Sequence, residues 1–341
     1  MAIVNRYGDI TPRQAAYSVR TLLPRGQSRM CFERVTQITT LLAKETDTVK
    51  WRRYESFLPA IAPMNEVIPK EGQTIQYADI TATLELFGDR VNLTRKITDH
   101  HEDDVIREES EILGEQAADT AELIRFGKAK AGTSVYYGNG AASRVATQSP
   151  PTNGDLHKIL RAFNRAKARS ITKVVSASDK ISTEPVAAAY LVIGHTDLLA
   201  DLKNLPNFVP VEQYSNNLKA LPNEVGKKDQ FRFLLTELAS PWLQAATSAG
   251  GTTYLSNGAI PAATSYPDVY PLLFFAENAF GGVAFKGKDA IHLAVRNPET
   301  IDSGNPFGQV GFVSWWFRQA AAILNEAWII RLECCCTATP S

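Results

Sequence analysis

ITDHHEDDVIREE, from Ile97 to Glu109, sets two histidines and a run of carboxylates directly before a stretch of apolar residues at helical spacing. It opens either a metal site, which would make the chain an enzyme, or a long helix. Adjacent residues in a helix lie about 100° apart, and a helical pair of metal-binding histidines stands at i, i+4. His100 and His101 do not converge that way. The other histidines, His157, His195 and His292, are scattered through unlike contexts.

The triplet Asp99-His100-His101 resembles that of the DHH phosphoesterases, whose Asp and His side chains hold divalent ions that activate water. Such a site needs further ligands from other strand ends, and no Asp-x-Asp pair precedes Asp99. The helical reading accounts for more of the letters. Asp99 is a good N-cap residue, Glu102 stands where a capping box places its acid, and Asp103 and Asp104 complement the helix dipole. Ile106, Leu113, Ala117, Thr120 and Ile124 follow as a stripe, flanked by Val105, Ile112 and Leu123. From Asp99 to about Lys130 such a helix extends roughly 45 Å.

The chain has 341 residues, enough for two compact domains, and its 44% hydrophobic content is that of a folded protein. With Lys+Arg 36 against Asp+Glu 36 the net charge is zero, which argues against a free-standing nucleic-acid binder. Charge is segregated all the same: Glu102 to Glu122 is acidic, whereas Arg125 to Lys173 is rich in Lys and Arg. Complementary patches between neighbouring copies would explain that pattern, as would two solvated faces. No apolar run is long enough for a membrane span, and MAIVNRYGDI lacks the apolar core of a secretion signal. The reading is a soluble protein made in a cytosol. Cys31 stands apart and Cys334, Cys335 and Cys336 are consecutive, which suits neither zinc nor a spaced disulfide framework. Reduced thiols are expected.

The first fifty residues hold a helical pattern, TPRQAAYSVRTLL, but too few apolar residues for a core of their own, so an extended arm is expected. From Val49 the signals turn to strand: VKWRRYESFL, TIQYADITATLELF and RVNLTRKIT, with PAIAPMNEVIPKEG as a Pro-punctuated connection. Together they read as a long β-ribbon leading into the helix. A two-stranded ribbon is marginal in water, so a partner surface is expected to cover it. From Asp155 to Gly281 the elements alternate as in a compact α/β domain: GDLHKILRAFNRAKAR as a basic amphipathic helix, AAAYLVIGH as a buried strand, TDLLADLKNL as a capped helix, and FRFLLTEL and YPLLFFAENAF as strands. Thr247 to Asp268 is a Gly, Ser, Thr and Pro-rich surface loop. The end returns to strands, GGVAFKGKDAIHLAVRN and NEAWIIRLE, with GFVSWWFRQAAAIL between them.

Catalytic motifs are wanting. Gly194-His195 could seat a general base, yet no Ser or Cys in a motif context supplies a nucleophile. There is no Gly-x-Ser-x-Gly elbow, Walker A loop, His-Glu-x-x-His or Cys-x-x-Cys. YYGNGAAS, Tyr136 to Ser143, reads as a turn after the helix, and Trp315 and Trp316 as packing anchors.

An arm, a ribbon, a long acidic helix, a compact α/β domain and returning strands form an order that resembles the major capsid proteins of tailed bacteriophages. Their α+β architecture is the Johnson fold, shared with the herpesvirus capsid floor. The resemblance is nearer still to the N-four-like podovirus family. It is carried by WRRYESFLPAIAPMNEVIPKEGQ, ITATLELFGDRVNLTRKITDHHED, ILGEQAADTAELIR, FVPVEQY with ALPNEVG, DVYPLLFFAENAFGGVAFKG and GFVSWWFRQAAAILNEAWIIRLE, from roughly Val35 to Glu333. It implies an N-terminal arm over 1–50, an E-loop over 51–98 that reaches across a neighbouring subunit, a spine helix and following turn over 99–154, an axial domain over 155–281, and return strands with a tail over 282–341.

The function it implies is a shell protein without catalysis. Copies would join as pentamers and hexamers, meet portal and scaffolding or decoration proteins, and enclose double-stranded DNA without sequence specificity. No cofactor and no membrane are implied, and the shell would assemble in the cytoplasm of a bacterial host before serving as the virion capsid. Residues expected at contacts between copies are Trp51, Arg52, Arg53, Tyr54, Glu66, Lys70 and Glu71 on the ribbon and Arg161, Arg165 and Arg169 on the basic helix. A DHH-type metal-dependent phosphoesterase and an encapsulin-like compartment shell are the competing readings.

Overall fold

The computed structural model describes residues 30–41, 46–57, 59, 61, 72–100, 105–175, 183–214, 220–247, 253–260, 265–285, 291–301 and 304–339. The chain runs through β1 (Thr36–Leu41), β2 (Thr48–Tyr54), β3 (Tyr77–Thr83), β4 (Glu85–Thr94), α1 (Arg95–His100), α2 (Val105–Lys130), β5 (Val135–Tyr137) and α3 (Asn153–Arg165). It continues through β6 (Ile171–Val175), β7 (Thr183–Gly194), α4 (Leu199–Lys203), β8 (Val209–Pro210), β9 (Glu224–Lys228) and β10 (Phe231–Leu235). The last elements are β11 (Tyr270–Phe275), β12 (Phe280–Phe285), β13 (His292–Arg296), β14 (Val310–Ile323) and β15 (Ile329–Cys334).

Eight strands form one mixed sheet in the order β5-β15-β11-β7-β10-β9-β8, with β6 also paired to β7. Tyr190 and Val192 of β7 face a core shared with Leu156, Ile159 and Phe163 of α3, whereas Leu191 and Ile193 face a second core containing Phe32 and Phe126. A strand covered on both faces needs apolar residues at every position. That is why β11 is buried along its whole length and reads as an unbroken apolar run, while β10, equally buried, carries one charge, Arg232, paired with Glu224.

The second sheet is built around the 14-residue strand β14. β4 lies antiparallel to it from Glu85↔Gln319 to Thr94↔Val310, β12 and β13 also pair with it, and β1 joins β12 in parallel. The stripe of α2, with Leu113, Ala117 and Ala121, packs against Val313, Trp315 and Phe317 on alternate positions of β14. Two side chains pin the helix: Trp315 Nε1 donates to Gln116 Oε1 at 3.0 Å and Gln319 Nε2 donates to the Ala121 carbonyl at 3.2 Å. Farther along, Phe126 and Ala129 of α2 enter the second core of the large sheet. One helix of 26 residues therefore spans both sheets.

Several expectations are corrected. Asp99 is not a helix start. It lies inside α1 and accepts from Arg95 Nε at 3.2 Å, four residues back. The chain turns helical straight out of β4 because Leu93 and Ile97, both fully buried, hold that corner on the core. Residues 101–104, with His101 and Glu102, lie outside the described residues. The ribbon is shorter than expected: β2 and β3 pair from Thr48↔Thr83 to Tyr54↔Tyr77, while RVNLTRKIT belongs largely to β4, the partner of β14. Residues 1–29 of the expected arm lie outside the described residues, and its described end packs on its own chain, with Cys31 and Phe32 fully buried and β1 parallel to β12.

The Thr247 to Asp268 loop is organised by its last residue. Asp268, fully buried, accepts from the backbone N–H groups of Gln244, Asn257 and Gly258 at 2.7, 2.9 and 2.7 Å. Cys334 belongs to β15, and Cys335 and Cys336 are buried beside it, all three as free thiols. Burial pushes the Cys335 thiol up to about 12, so it stays protonated. No helix of the described residues is long and apolar enough to cross a membrane.

Candidate assembly surface

The β2–β3 ribbon is anchored at its root and bare toward its tip. Val49 packs with Val283 and Ala320 of the second sheet, and Trp51 closes that cluster while its Nε1 donates to Thr39 Oγ1 at 3.0 Å. Trp51, expected at a contact between copies, is thus half-buried within its own chain. Arg52 is also engaged inside the ribbon. Its guanidinium meets both oxygens of Asp79, at 2.8 and 3.0 Å, and lies 4.3 Å from the ring centre of Tyr77. Hydrogen bonds from Arg52 and Lys50 hold the Asp79 carboxyl well below the usual carboxylate range. This cluster stiffens the ribbon across its two strands.

Beyond it the ribbon has no cover among the described residues. Arg53 is exposed, and Tyr54, Phe57, Ile61, Ile75 and Tyr77 are each more than half exposed, Ile61 at 88%. Glu66, Lys70 and Glu71 lie outside the described residues. The apolar members Phe57, Ile61 and Ile75 carry no period that marks them as a face, because Ile61 lies between Pro59 and Pro63 and the other two flank that Pro-punctuated connection.

The acidic helix meets part of its charge within itself. On α2, Glu111 pairs with Arg107 at 3.4 Å, so part of the acidic charge is met four residues away. Glu122 is fully buried, contacts Arg125 at 3.3 Å and accepts the N–H groups of Cys31 and Phe32. Glu108 remains exposed. Glu109 is buried with neither oxygen bonded among the described residues, and burial pushes its carboxyl up to about 7.

On α3, Thr152 caps the helix by accepting from the Asp155 N–H at 3.2 Å. Arg161 and Arg165 stand one turn apart on its exposed side. Arg169 does not continue that row. The helix ends at Arg165, Lys167 takes a left-handed turn, and Arg169 lies in the connection to β6.

The residues weighed for catalysis serve structure. His195 Nδ1 accepts from the Asp197 N–H at 3.2 Å, capping the turn before α4, and Tyr270 donates to Asp197 at 2.8 Å. Asn139, in the turn after α2, donates its N–H to Asp155 at 3.0 Å. Trp316 stacks on His292 with ring centres 4.2 Å apart, on the face of the sheet away from Trp315. Among the described residues no group of three His, Cys, Asp or Glu side chains could hold a metal ion.

Comparison with known proteins gives these features a common frame. The Phage capsid protein family model matches residues 77–332. The major capsid protein of Pseudomonas phage KPP21 is 23% identical over 208 residues, covering 56% of this chain and 50% of that protein, so the alignment spans half of the relative's length. The structure of the capsid of Ralstonia phage GP4 superposes with a TM-score of 0.64 over 100% of both chains at 11% identity. The head structure of Helicobacter pylori bacteriophage KHP40 gives 0.60 over 96% of this chain and 94% of the other at 12% identity. These likenesses establish the α+β capsid fold, and with a family model matching well over half of its residues the chain belongs to the phage capsid protein family.

Proposed function

We infer that this chain is a major capsid protein, a structural subunit whose copies build the shell of a phage virion. The observation that carries the reading is the ribbon: a β2–β3 excursion fixed at its root by Val49 and Trp51 and bare of cover at Tyr54, Phe57 and Ile61. An apolar surface of that kind on an isolated ribbon is stable when another subunit buries it. The family match and the capsid fold support the same conclusion.

In this reading residues 51–83 form the E-loop that lies on a neighbour, α2 is the spine helix, and the large sheet with α3 and α4 is the axial domain. Copies associate as pentamers and hexamers around double-stranded DNA, with portal and scaffolding or decoration proteins as further partners, and assembly takes place in the cytoplasm of a bacterial host. The subunit carries no catalytic chemistry. Placement near the N-four-like group rests on the ordered stretches from WRRYESFLPAIAPMNEVIPKEGQ to GFVSWWFRQAAAILNEAWIIRLE. Arg52, Arg53, Tyr54, Arg161, Arg165 and Arg169 are the exposed site residues offered for contacts between copies, Arg52 while paired with Asp79.

Expression in a bacterial host followed by electron microscopy tests the reading. Closed particles of uniform diameter are the expected result. A chain that stays monomeric at high concentration, with the purified protein folded and with scaffolding protein supplied, would overturn it.

A further inference from the structure

Trp242 lies among three cations. The Lys130 ammonium is 3.9 Å from its ring centre, the Arg144 guanidinium 3.7 Å and that of Arg331 5.5 Å. One carboxylate answers them: Glu333, fully buried, which meets Arg144 at 2.7 and 2.8 Å and Arg331 at 2.8 Å. Lys130 donates to the Ser240 carbonyl at 3.0 Å, a neutral acceptor. Among the described residues named here the cluster keeps an excess of two positive charges. Burial first, then the nearby guanidinium groups of Arg144 and Arg331, bring the Lys130 amine down to about 8.

Next in sequence to Arg144 and Trp242 stand two bare apolar side chains, Val145 at 58% and Leu243 at 57% exposure. Both are held in place. Val145 O accepts from the Thr247 N–H at 2.6 Å, and Trp242 exchanges both backbone hydrogen bonds with Val269, at 2.9 and 3.0 Å. A rigid Trp and Arg pair rimmed by exposed apolar residues is the composition of an interface centre. The chain as a whole is neutral, with Lys+Arg 36 and Asp+Glu 36. A local positive excess is therefore matched by a negative excess elsewhere on the same molecule, and a head-to-tail contact between identical copies can bring the two together.

We propose that the Lys130, Arg144 and Trp242 cluster with Val145 and Leu243 is a docking surface for an acidic segment of a second copy of this chain. The proposal rests on the shell reading, and it adds a contact separate from the ribbon.

The test uses the native cysteines, which are all buried, so an introduced thiol at the patch is the reactive one. Leu243→Cys, with Val145→Cys as the second probe, is treated with a small maleimide as dispersed subunits and as assembled particles. Labelling is expected to slow at least tenfold on assembly and to recover when the particles are dissociated. Particles that form normally yet label as fast as free subunits overturn the proposal and leave the shell reading standing, whereas a failure of the unaltered chain to form particles overturns the shell reading instead. Sign is tested by Leu243→Glu and Leu243→Lys. The glutamate is expected to reduce particle yield at least tenfold and the lysine to spare it, and equal loss from both would overturn the acidic character of the partner.

Discussion

The carboxylate of Glu122, fully buried in the middle of α2, accepts the backbone N–H of Phe32 at 2.9 Å. A second bond, from the Cys31 N–H at 3.0 Å, reaches the same oxygen. One side chain thus fixes where the N-terminal segment meets the long helix, at the point where Phe32 enters the core of the large sheet. Burial pushes the Glu122 carboxyl up, and Arg125 with the two N–H groups opposes that push. Glu122→Ala leaves two buried donors without an acceptor and is expected to cost about 2 to 4 kcal/mol. Glu122→Gln keeps an acceptor oxygen and is expected to cost less. Urea unfolding of dispersed subunits checks the order, and equal midpoints for the two variants would show that the N–H contacts do not matter.

Glu109 gives a pH dependence. Its carboxyl moves from an ordinary value of 4.5 to about 7 through burial, so the folded protein holds the proton more tightly than the unfolded chain. Stability is then greatest below about pH 4.5 and falls as the pH rises to about 7, by on the order of 3 kcal/mol. Glu109→Gln removes the ionisation and is expected to raise the urea midpoint at pH 8 while leaving it nearly unchanged at pH 4.5. A variant no more stable than the parent at pH 8 would rule this out.

Gly88 sits in β4 against the tryptophan pair of β14. A Cβ there would lie 2.7 Å from the Trp315 carbonyl oxygen and 3.0 Å from Trp316 Cβ, and a backbone oxygen in a paired strand cannot swing aside. Gly88→Ala is expected to destabilise the second sheet by about 1 to 3 kcal/mol. Thermal unfolding followed by tryptophan fluorescence reports it, since Trp315 and Trp316 flank the site.

Deleting Pro59 to Gly72 removes the ribbon tip and spares the root cluster of Val49, Val283 and Ala320. The variant is expected to be folded and soluble but unable to form closed particles, because the E-loop reading assigns the deleted segment to the contact with a neighbour. Electron microscopy beside circular dichroism separates the two properties. Particles of normal size from the deletion variant would refute the E-loop assignment.

Local periodicity made some of this architecture legible in the sequence. The stripe Ile106, Leu113 and Ala117 announced α2, the apolar run AAAYLVIGH a buried strand and YPLLFF a further strand, because helix and strand periods are properties of neighbouring residues. Where the helix begins was another matter. Asp99 has the chemistry of a cap, yet the buried pair Leu93 and Ile97 had already committed the chain to helix at Arg95. Burial in a core made by β14, more than two hundred positions away, outweighs a capping preference worth about 1 kcal/mol. The same long-range packing took RVNLTRKIT out of the ribbon, drew Cys31 and Phe32 into the core, set Trp51 against its own sheet and gathered Lys130, Arg144 and Arg331 around Trp242. None of those pairings leaves a periodic trace, because the partners are brought together by the register of strands whose sequences do not name one another.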